Sequence, residues 1–592
     1  MSEKQENPTN ALLNTYRNRA LDAYRNKRIF TMFRNYYAIR RALLKRGWLE
    51  KLSPDRYAQY QTLSEETLLE YAKQGNVYET VLISKIMDSY PAFFVWRKRI
   101  QAELYEYVRP YRNGIRRSPM VNFTSKVGLI GCIEQVHWHG VEGVAKMSYP
   151  RAYRLYEKYD EKHFIDDFRL TQCQALMRYL INNQQHLEDL IDLEEGTIGC
   201  EVLEFAIDSL MRQIDESQSL LSVDSESQPV TTDEDWNVFL ADCSRVINSL
   251  EKIKCYHCEM VQWLEIGKKI ISEIEVQRPA LKWDGCKNLW ILKPGYKSQG
   301  KGIVIHSSLD EILSWSSTHT NSRYIAQKYL ERPLLIYQTK FDIRQYMLLS
   351  IRESTVQIWL YRDCYLRFSS QLFCLDDLRE FIHLTNNSVQ KKYKSNTTRD
   401  PRLPKSNMWR LDKFKAYMRT QNVAEDVWQA RVYAGFRENL IALVLASLDE
   451  TILCENCFHL YGCDFMLDED YNPILIEINS APDLSSSTGV TARICPMVLR
   501  DCVKVVVDFT RNSKAPTGLF EMIFEVNYKM KPNRDVKKSS DVIAKPIESV
   551  ESESLQLHHD NTANYEEFEE QENFEEFEEE KNFEEFEEEK MC

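Results

Sequence analysis

From residue 460 to 479 two short apolar runs, 460–467 and 474–479, flank the polar stretch 468–473, the pattern of a β-hairpin. Ile474, Ile476 and Ile478 share one face by period-two alternation, which sends Glu477 and Asn479 to the other. A six-residue turn over 468–473 pairs Leu467 with Ile474 and sets Asp464 opposite Glu477, about 5 Å apart at Cβ. Two carboxylates that close repel unless a cation neutralises them, and a hard divalent ion takes such oxygen ligands. Asp464, Glu477 and Asn479 are therefore candidate Mg²⁺ ligands, the ion in turn holding nucleotide phosphates. A surface hairpin with solvated acids is the plainer alternative.

The same alternation recurs at Lys340-Phe-Asp-Ile-Arg344, where Lys340, Asp342 and Arg344 share one face and Phe341 and Ile343 the other. Further strands are predicted at 29–33, 289–292, 303–305, 324–330 and 358–361, and helices at 37–44, 164–180, 437–453 and 490–509. Between strands 289–292 and 303–305 runs Lys293-Pro-Gly-Tyr-Lys-Ser-Gln-Gly-Lys-Gly302. Its glycines let the backbone fold closely around an anion and its lysines supply charge, but it is not a Walker loop, lacking the G-x-x-x-x-G-K-S/T order. Residues 187–280 read as a helical insertion. One apolar stripe there is Val202, Leu203, Ala206, Ile207, Leu210, Met211 and Ile214, and another is Trp236, Phe239, Leu240, Cys243, Ile247 and Leu250. The Ser- and acid-rich stretch 217–235 between them reads as a loop. Cys255 and Cys258 form a CxxC, as do Cys454 and Cys457, pairs too distant in sequence for zinc-ribbon spacing.

Charge changes this picture at both ends. Of the 592 residues, the last 46 hold 19 acidic residues against Lys581 and Lys590. That local charge of −17 within a total of −13 leaves the preceding 546 residues at +4. The tail repeats Asn-aromatic-Glu-Glu-Phe-Glu-Glu three times in nine-residue copies beginning at Asn564, Asn573 and Asn582. Such like-charge density predicts disorder. Residues 13–48 carry ten basic residues against Asp22 alone, a candidate docking surface for an acidic partner. No apolar run approaches the ~20 residues that span a bilayer, residues 1–10 are polar, and 15 cysteines are scattered singly. These features predict a soluble, unsecreted chain with reduced thiols. No recognised nucleic-acid module interleaves aromatics with the basic residues.

Several stretches together resemble the tubulin tyrosine ligase-like family of ATP-grasp amino-acid ligases. They are Lys-Pro-Gly-x-x-Ser-x-Gly-x-Gly from Lys293, Gln327-Lys-Tyr-Leu330, Lys340-Phe-Asp-Ile-Arg344, Tyr365-Leu-Arg-Phe-Ser369, His383-Leu-Thr-Asn386 and Asp464 with Ile476-Glu-Ile-Asn479. The likeness runs from about residue 27 to 509. Ile29-Phe-Thr31, Arg46-Gly-Trp48, Ile165-Asp-Asp-Phe-Arg169 and Tyr337-Gln-Thr-Lys340 look most like its glycine-ligase branch. The resemblance implies an α/β (α+β) ATP-grasp fold divided into an N-terminal extension (1–26), an N-terminal α/β subdomain (27–186), the helical insertion (187–280), central and C-terminal subdomains (281–512) and a disordered acidic tail (513–592).

It further implies that Asp464, Glu477 and Asn479 bind Mg²⁺. Lys126 and Lys293 would reach ATP phosphates, with the loop through Ser298, Gln299, Gly300, Gly302 and Ile303 closing over them. Gln327, Lys328, Tyr329 and Leu330 would border the adenine, with Lys340 near and Asp342 on the ribose side. Arg344, Arg367, Thr385 and Asn386 would line the phosphoryl and amino-acid end, where Arg344, Arg367, Asn386 and Glu477 are the expected catalytic residues. Gln299 and Lys301 stand where relatives carry arginine. The implied activity is ATP-dependent ligation of free glycine to glutamate side chains of tubulin tails, in the cytoplasm or the axoneme of a cilium or flagellum, without nucleic-acid or membrane partners. The alternatives are a glutamate ligase of the same fold and an inactive microtubule-binding protein. The acidic tail imitates such a substrate and is a candidate occupant of the basic groove in cis.

Overall fold

The computed structural model describes residues 8–32, 36–53, 60, 62–73, 77–96, 111–113, 116–117, 122–218, 231–297, 300–352, 354–448, 451–452 and 456–527. Ser298, Gln299, Arg34, Cys454, most of the loop expected over 217–235, and the repeats from Asn564 lie outside the described residues.

Alternating apolar residues build one large sheet around a long hairpin, Thr339–Arg352 with Thr355–Phe368. Cys457–Leu467 pairs antiparallel with the first strand, and Pro473–Asn479 pairs with Cys457–Leu467. The start of Cys457–Leu467 also pairs in parallel with Tyr111–Asn113, from which Phe94–Trp96, Ile29–Met32 and Leu49–Glu50 continue the sheet in parallel. The strands around the hairpin and the N-terminal strands therefore share one eleven-stranded sheet. Its apolar face, with Phe341, Ile343, Phe465 and Leu475, packs on the Ala434–Leu448 helix. The Gly489–Val503 and Tyr37–Leu44 helices cover another part through Ile494, Val498, Ile39 and Leu43.

A second, four-stranded antiparallel sheet runs in the order Val304–His306, Trp290–Pro294, Tyr324–Lys328, Ala152–Arg154. The Lys158–Asn182 helix serves two neighbours. Phe164 and Phe168 pack on Trp290 of this sheet, whereas Cys173, Leu176 and Leu180 join the core of the Glu201–Gln218, Asp233–Asn248 and His257–Gln277 helices. Of the two expected stripes, Met211 is 49% exposed and Leu250 69% exposed. Neither belongs to the buried stripes, and Leu250 lies beyond its helix at φ +56.

Three expectations need correction. Thr451–Ile452, expected within the 437–453 helix, form a strand paired antiparallel with Arg116–Arg117. The six residues Lys504–Phe509, expected within one closing helix, are π-helical rather than α-helical. The chain past 512 does not leave the fold at once, because Phe520–Asn527 adds an antiparallel edge strand to Thr355–Phe368 and buries Phe520, Ile523, Phe524 and Val526. Four of the ten basic residues in 13–48 meet acids. Arg17 pairs with Glu65 at 2.8 Å, Arg19 with Glu79 at 2.7 Å, Arg40 with Glu50 at 2.8 Å and Arg46 with Asp508 at 2.6 Å. Those acids lie outside the segment that was counted.

Candidate active site

The polar face of the large sheet carries a row of directly opposed charges. Arg367 lies across from Asp342, Arg344 across from Asp464, and Asp464 across from Glu477. Arg367 donates from Nε and Nη2 to Asp342 at 2.7 and 2.6 Å, and its Nη2 also lies 2.9 Å from Asp464. Arg344 Nε donates to Asp464 at 2.6 Å. Asp342 accepts a further bond from the Thr385 hydroxyl at 2.5 Å. Burial alone would raise the Asp464 pKa, but Arg344 and Arg367 overcome it and hold the carboxyl at about 2. Desolvation works against both arginines too, yet the carboxylates raise their pKa values further above the ordinary range.

The Asp464 to Glu477 pairing is reached by a different route from the one the sequence suggests. The turn is a residue shorter, so Leu467 pairs with Pro473, and Ile476 is bulged out between the pairs Phe465↔Leu475 and Asp464↔Glu477. The bulge restores the offset and rotates the strand. As a result Ile478 joins Leu475 in the core under the sheet, while Ile474 packs with Met466 and Leu330 on the other side.

Glu477 is half-buried and has no ion-pair partner among the described residues. The Asn479 amide nitrogen lies 3.3 Å from Asp464 and 3.4 Å from Glu477. A donor thus sits where two acids need positive charge, and turning the amide would offer its oxygen instead. Two carboxylates and an amide oxygen are a hard-cation donor set, so these residues fit Mg²⁺.

The small sheet supplies the opposite wall. Lys293 Nζ donates to Gln327 Oε1 at 2.5 Å, and the buried Gln327 Nε2 has no partner among the described residues. Burial brings the Lys293 pKa down to about 8 and that of Lys340 to about 7. Lys340 donates to the Tyr329 hydroxyl and to the His383 carbonyl, each at 2.8 Å. Tyr329 in turn lies 2.7 Å from His383 Nδ1, while His383 Nε2 meets the Asp377 carbonyl at 2.7 Å. Burial, with Lys340 nearby, lowers the His383 pKa to about 4. The neutral ring therefore donates from Nε2 and accepts at Nδ1.

Lys328 is committed elsewhere: its ammonium bonds Glu331 at 2.6 Å and the Leu289 carbonyl at 3.0 Å. Ile303 and Tyr329 share an apolar cluster with Leu289, Ile291 and Leu384. Gly300 and Gly302 adopt φ +74 and +77, a region that favours glycine. A side chain on Gly300 would also strike Val389.

Lys126, Arg344, Arg367, Asn386, Glu477 and Asn479 line one cavity of about 500 Å³. Lys126 opens the Lys126–Gln135 helix, and its ammonium bonds the Lys297 carbonyl at 2.8 Å. The same cavity is lined by Tyr365, from the Tyr365-Leu-Arg-Phe-Ser369 motif, and by Lys391, Ser485 and Ser487, for which the sequence offers little signal. The only signal for the serines was the Ser480-Ala-Pro-Asp-Leu-Ser-Ser-Ser-Thr488 run that follows Asn479. Thr385, Lys340, Gln327 and Lys293 are buried beside the cavity rather than lining it.

A site with a buried lysine on the small sheet, a second at the end of the charge row, and paired carboxylates is suited to a polyphosphate bridged by a divalent cation. A profile of the Tubulin-tyrosine ligase family matches residues 229–515. The chain is 53% identical over 528 residues to tubulin glycylase 3B of Drosophila melanogaster, covering 88% of this chain and 69% of that protein. It is 35% identical over 537 residues to tubulin glycylase 3A of the same species, covering 87% and 53%. To tubulin monoglycylase TTLL3 of Danio rerio it is 32% identical over 550 residues, covering 85% and 69%. On this combined footing the chain belongs to the tubulin-tyrosine ligase family.

Proposed function

We propose that the chain is an ATP-dependent ligase of ATP-grasp type that joins glycine to glutamate side chains in the acidic tails of tubulin. The observation that carries the reading is the charge row Arg367, Asp342, Arg344, Asp464 and Glu477, set against the unneutralised lysines 293 and 340. Three named relatives that act as tubulin glycylases or a monoglycylase support the choice of glycine. The setting that follows is the microtubule surface, including the axoneme of a cilium or flagellum. Among the described residues no helix is long and apolar enough to cross a membrane.

The orphaned Gln327 Nε2 offers a donor to the base, beside the apolar cluster around Ile303 and Tyr329. Lys293 and Lys340 would take the phosphates. Asp464, Glu477 and Asn479 would hold Mg²⁺, which when bound neutralises phosphate charge and polarises the transferring group. A substrate carboxylate oxygen attacks the γ-phosphorus and ADP leaves. The glycine amine then attacks the resulting acyl carbon, an amide forms, and phosphate departs with one former carboxylate oxygen. Arg344 and Arg367 have N–H donors beyond those in their ion pairs, available to oxygens where charge develops. Fixed by carboxylates on both sides, these arginines need little reorganisation.

Incubation with tubulin, ATP and equal labelled glycine and glutamate tests the reading, with glycine expected in the tails. Preferential glutamate incorporation would instead favour the second ligase reading, in which Lys391 could pair an additional carboxylate.

The two lysines set a pH signature. Opposite charge raises a lysine pKa, so the nucleotide complex holds more protons than the free protein. Between about pH 7 and 9, ADP binding is therefore expected to take up protons and to weaken as pH rises. Calorimetry in buffers of different ionisation enthalpy measures that uptake, and zero uptake at pH 8 would contradict the assignment. Without ligand the sign reverses. The unfolded chain holds more protons between the folded lysine pKa values, about 7 and 8, and the unfolded value, so these groups make stability rise with pH there.

A further inference from the structure

Residues 391–410 hold seven basic residues and one acid, Asp400. Three of the seven have carboxylate neighbours: Lys392 lies 3.6 Å from Glu380, Arg402 2.6 Å from Asp400 and Arg410 3.3 Å from Asp412. Lys391, Lys394 and Lys405 are exposed and have no ion-pair partner among the described residues. Arg399 differs from all of these. It is only 8% exposed, Nη1 donates to the Asn407 side chain, and both Nε and Nη2 are buried with no hydrogen-bond partner among the described residues. Desolvation without a compensating anion brings its pKa down to about 10. A buried guanidinium lacking an acceptor is costly, and its fork fits a carboxylate.

The surrounding loop is held firmly beside the cavity. Asn396 donates from its backbone to the Ser370 carbonyl, Phe368 donates to the Asn407 carbonyl, Leu403 is in the core, and Arg402 stacks 3.8 Å over Tyr337. Both ends lead to the cavity wall, through Lys391 and Met408.

Resting on the ligase reading above, we infer that residues 391–410 form the basic rim that docks the acidic substrate peptide, with Arg399 binding the carboxylate of a glutamate flanking the acceptor. The occupant is acidic peptide because three exposed lysines without ion-pair partners among the described residues flank, in sequence, a two-donor fork.

The test is binding of a fluorescent Glu-rich peptide, and of its counterpart with Gln at every position flanking the acceptor, to the full chain. Arg399→Gln is expected to weaken the Glu peptide about tenfold or more, the scale of a charge-assisted pair, and to leave the Gln peptide within about twofold. Arg399→Lys should fall between. Equal losses on both peptides would mark a structural role and overturn the inference, as would no loss on either. If neither variant folds, hydrogen exchange of the unaltered chain decides. The Glu peptide should protect amides in 396–407, and absence of protection overturns the inference. Glycine incorporation is measured on the same peptides. Binding without incorporation would tell against the ligase reading and leave Arg399 to be judged by the affinities.

Discussion

Replacing Glu477 by Gln is expected to cut glycine ligation by about 10³-fold or more, the scale seen when charge stabilisation of the reacting groups is removed, while the fold is kept. The reason lies in the division of labour along the charge row. Asp464 is already matched by Arg344 and Arg367, whereas Glu477 has no ion-pair partner among the described residues. The uncompensated negative charge available to a cation is therefore mainly that of Glu477. The neutral amide of the Glu477→Gln variant would keep the shape and the contact with Asn479, so the thermal midpoint should stay the same or rise slightly as repulsion across the Asp464 pair is relieved. ADP release with an acidic peptide and glycine, alongside a melting curve, measures both quantities. Retained turnover with an unchanged melt would remove Glu477 from the metal site.

Arg367→Met is expected to act on stability as strongly as Glu477→Gln acts on turnover. Arg367 is buried and bridges Asp342 and Asp464. Its loss leaves Asp342 with the Thr385 hydroxyl, and Asp464 with Arg344 and the Asn479 amide. Breaking a buried pair by deleting one partner costs about 3–5 kcal/mol. Denaturant midpoints at neutral pH should fall accordingly, and Asp342→Leu added to Arg367→Met should recover part of the loss because an unpaired buried charge is removed. A midpoint within experimental error of the parent would show that the row contributes nothing to folding.

The central geometry was legible where period two holds. Lys340, Asp342 and Arg344 do share a face opposite Phe341 and Ile343, and Asp464 does meet Glu477. Alternation cannot reveal an inserted residue, however. The expected turn is a residue too long and omits the bulge at Ile476, two errors that cancel from Glu477 onward and leave Ile474 on the wrong face. The long hairpin strands were read as fragments because cleft-facing charges resemble loop residues. The edge strand Phe520–Asn527 was missed because a polar stretch precedes it and apolar content soon collapses after it. Wall residues from loops, such as Lys391 and Ser487, carry no periodic signal. Arg399 reads in sequence as one basic residue among seven, and only burial separates it from the others.

The route of oxygen atoms tests the ligase account most directly. An acidic peptide with oxygen-18 in its carboxylates is incubated with the chain, ATP and glycine. The account expects one labelled oxygen in the released phosphate for each glycine joined, since the carboxylate takes the phosphoryl group before the amine displaces it. Glycine incorporation with unlabelled phosphate would contradict it.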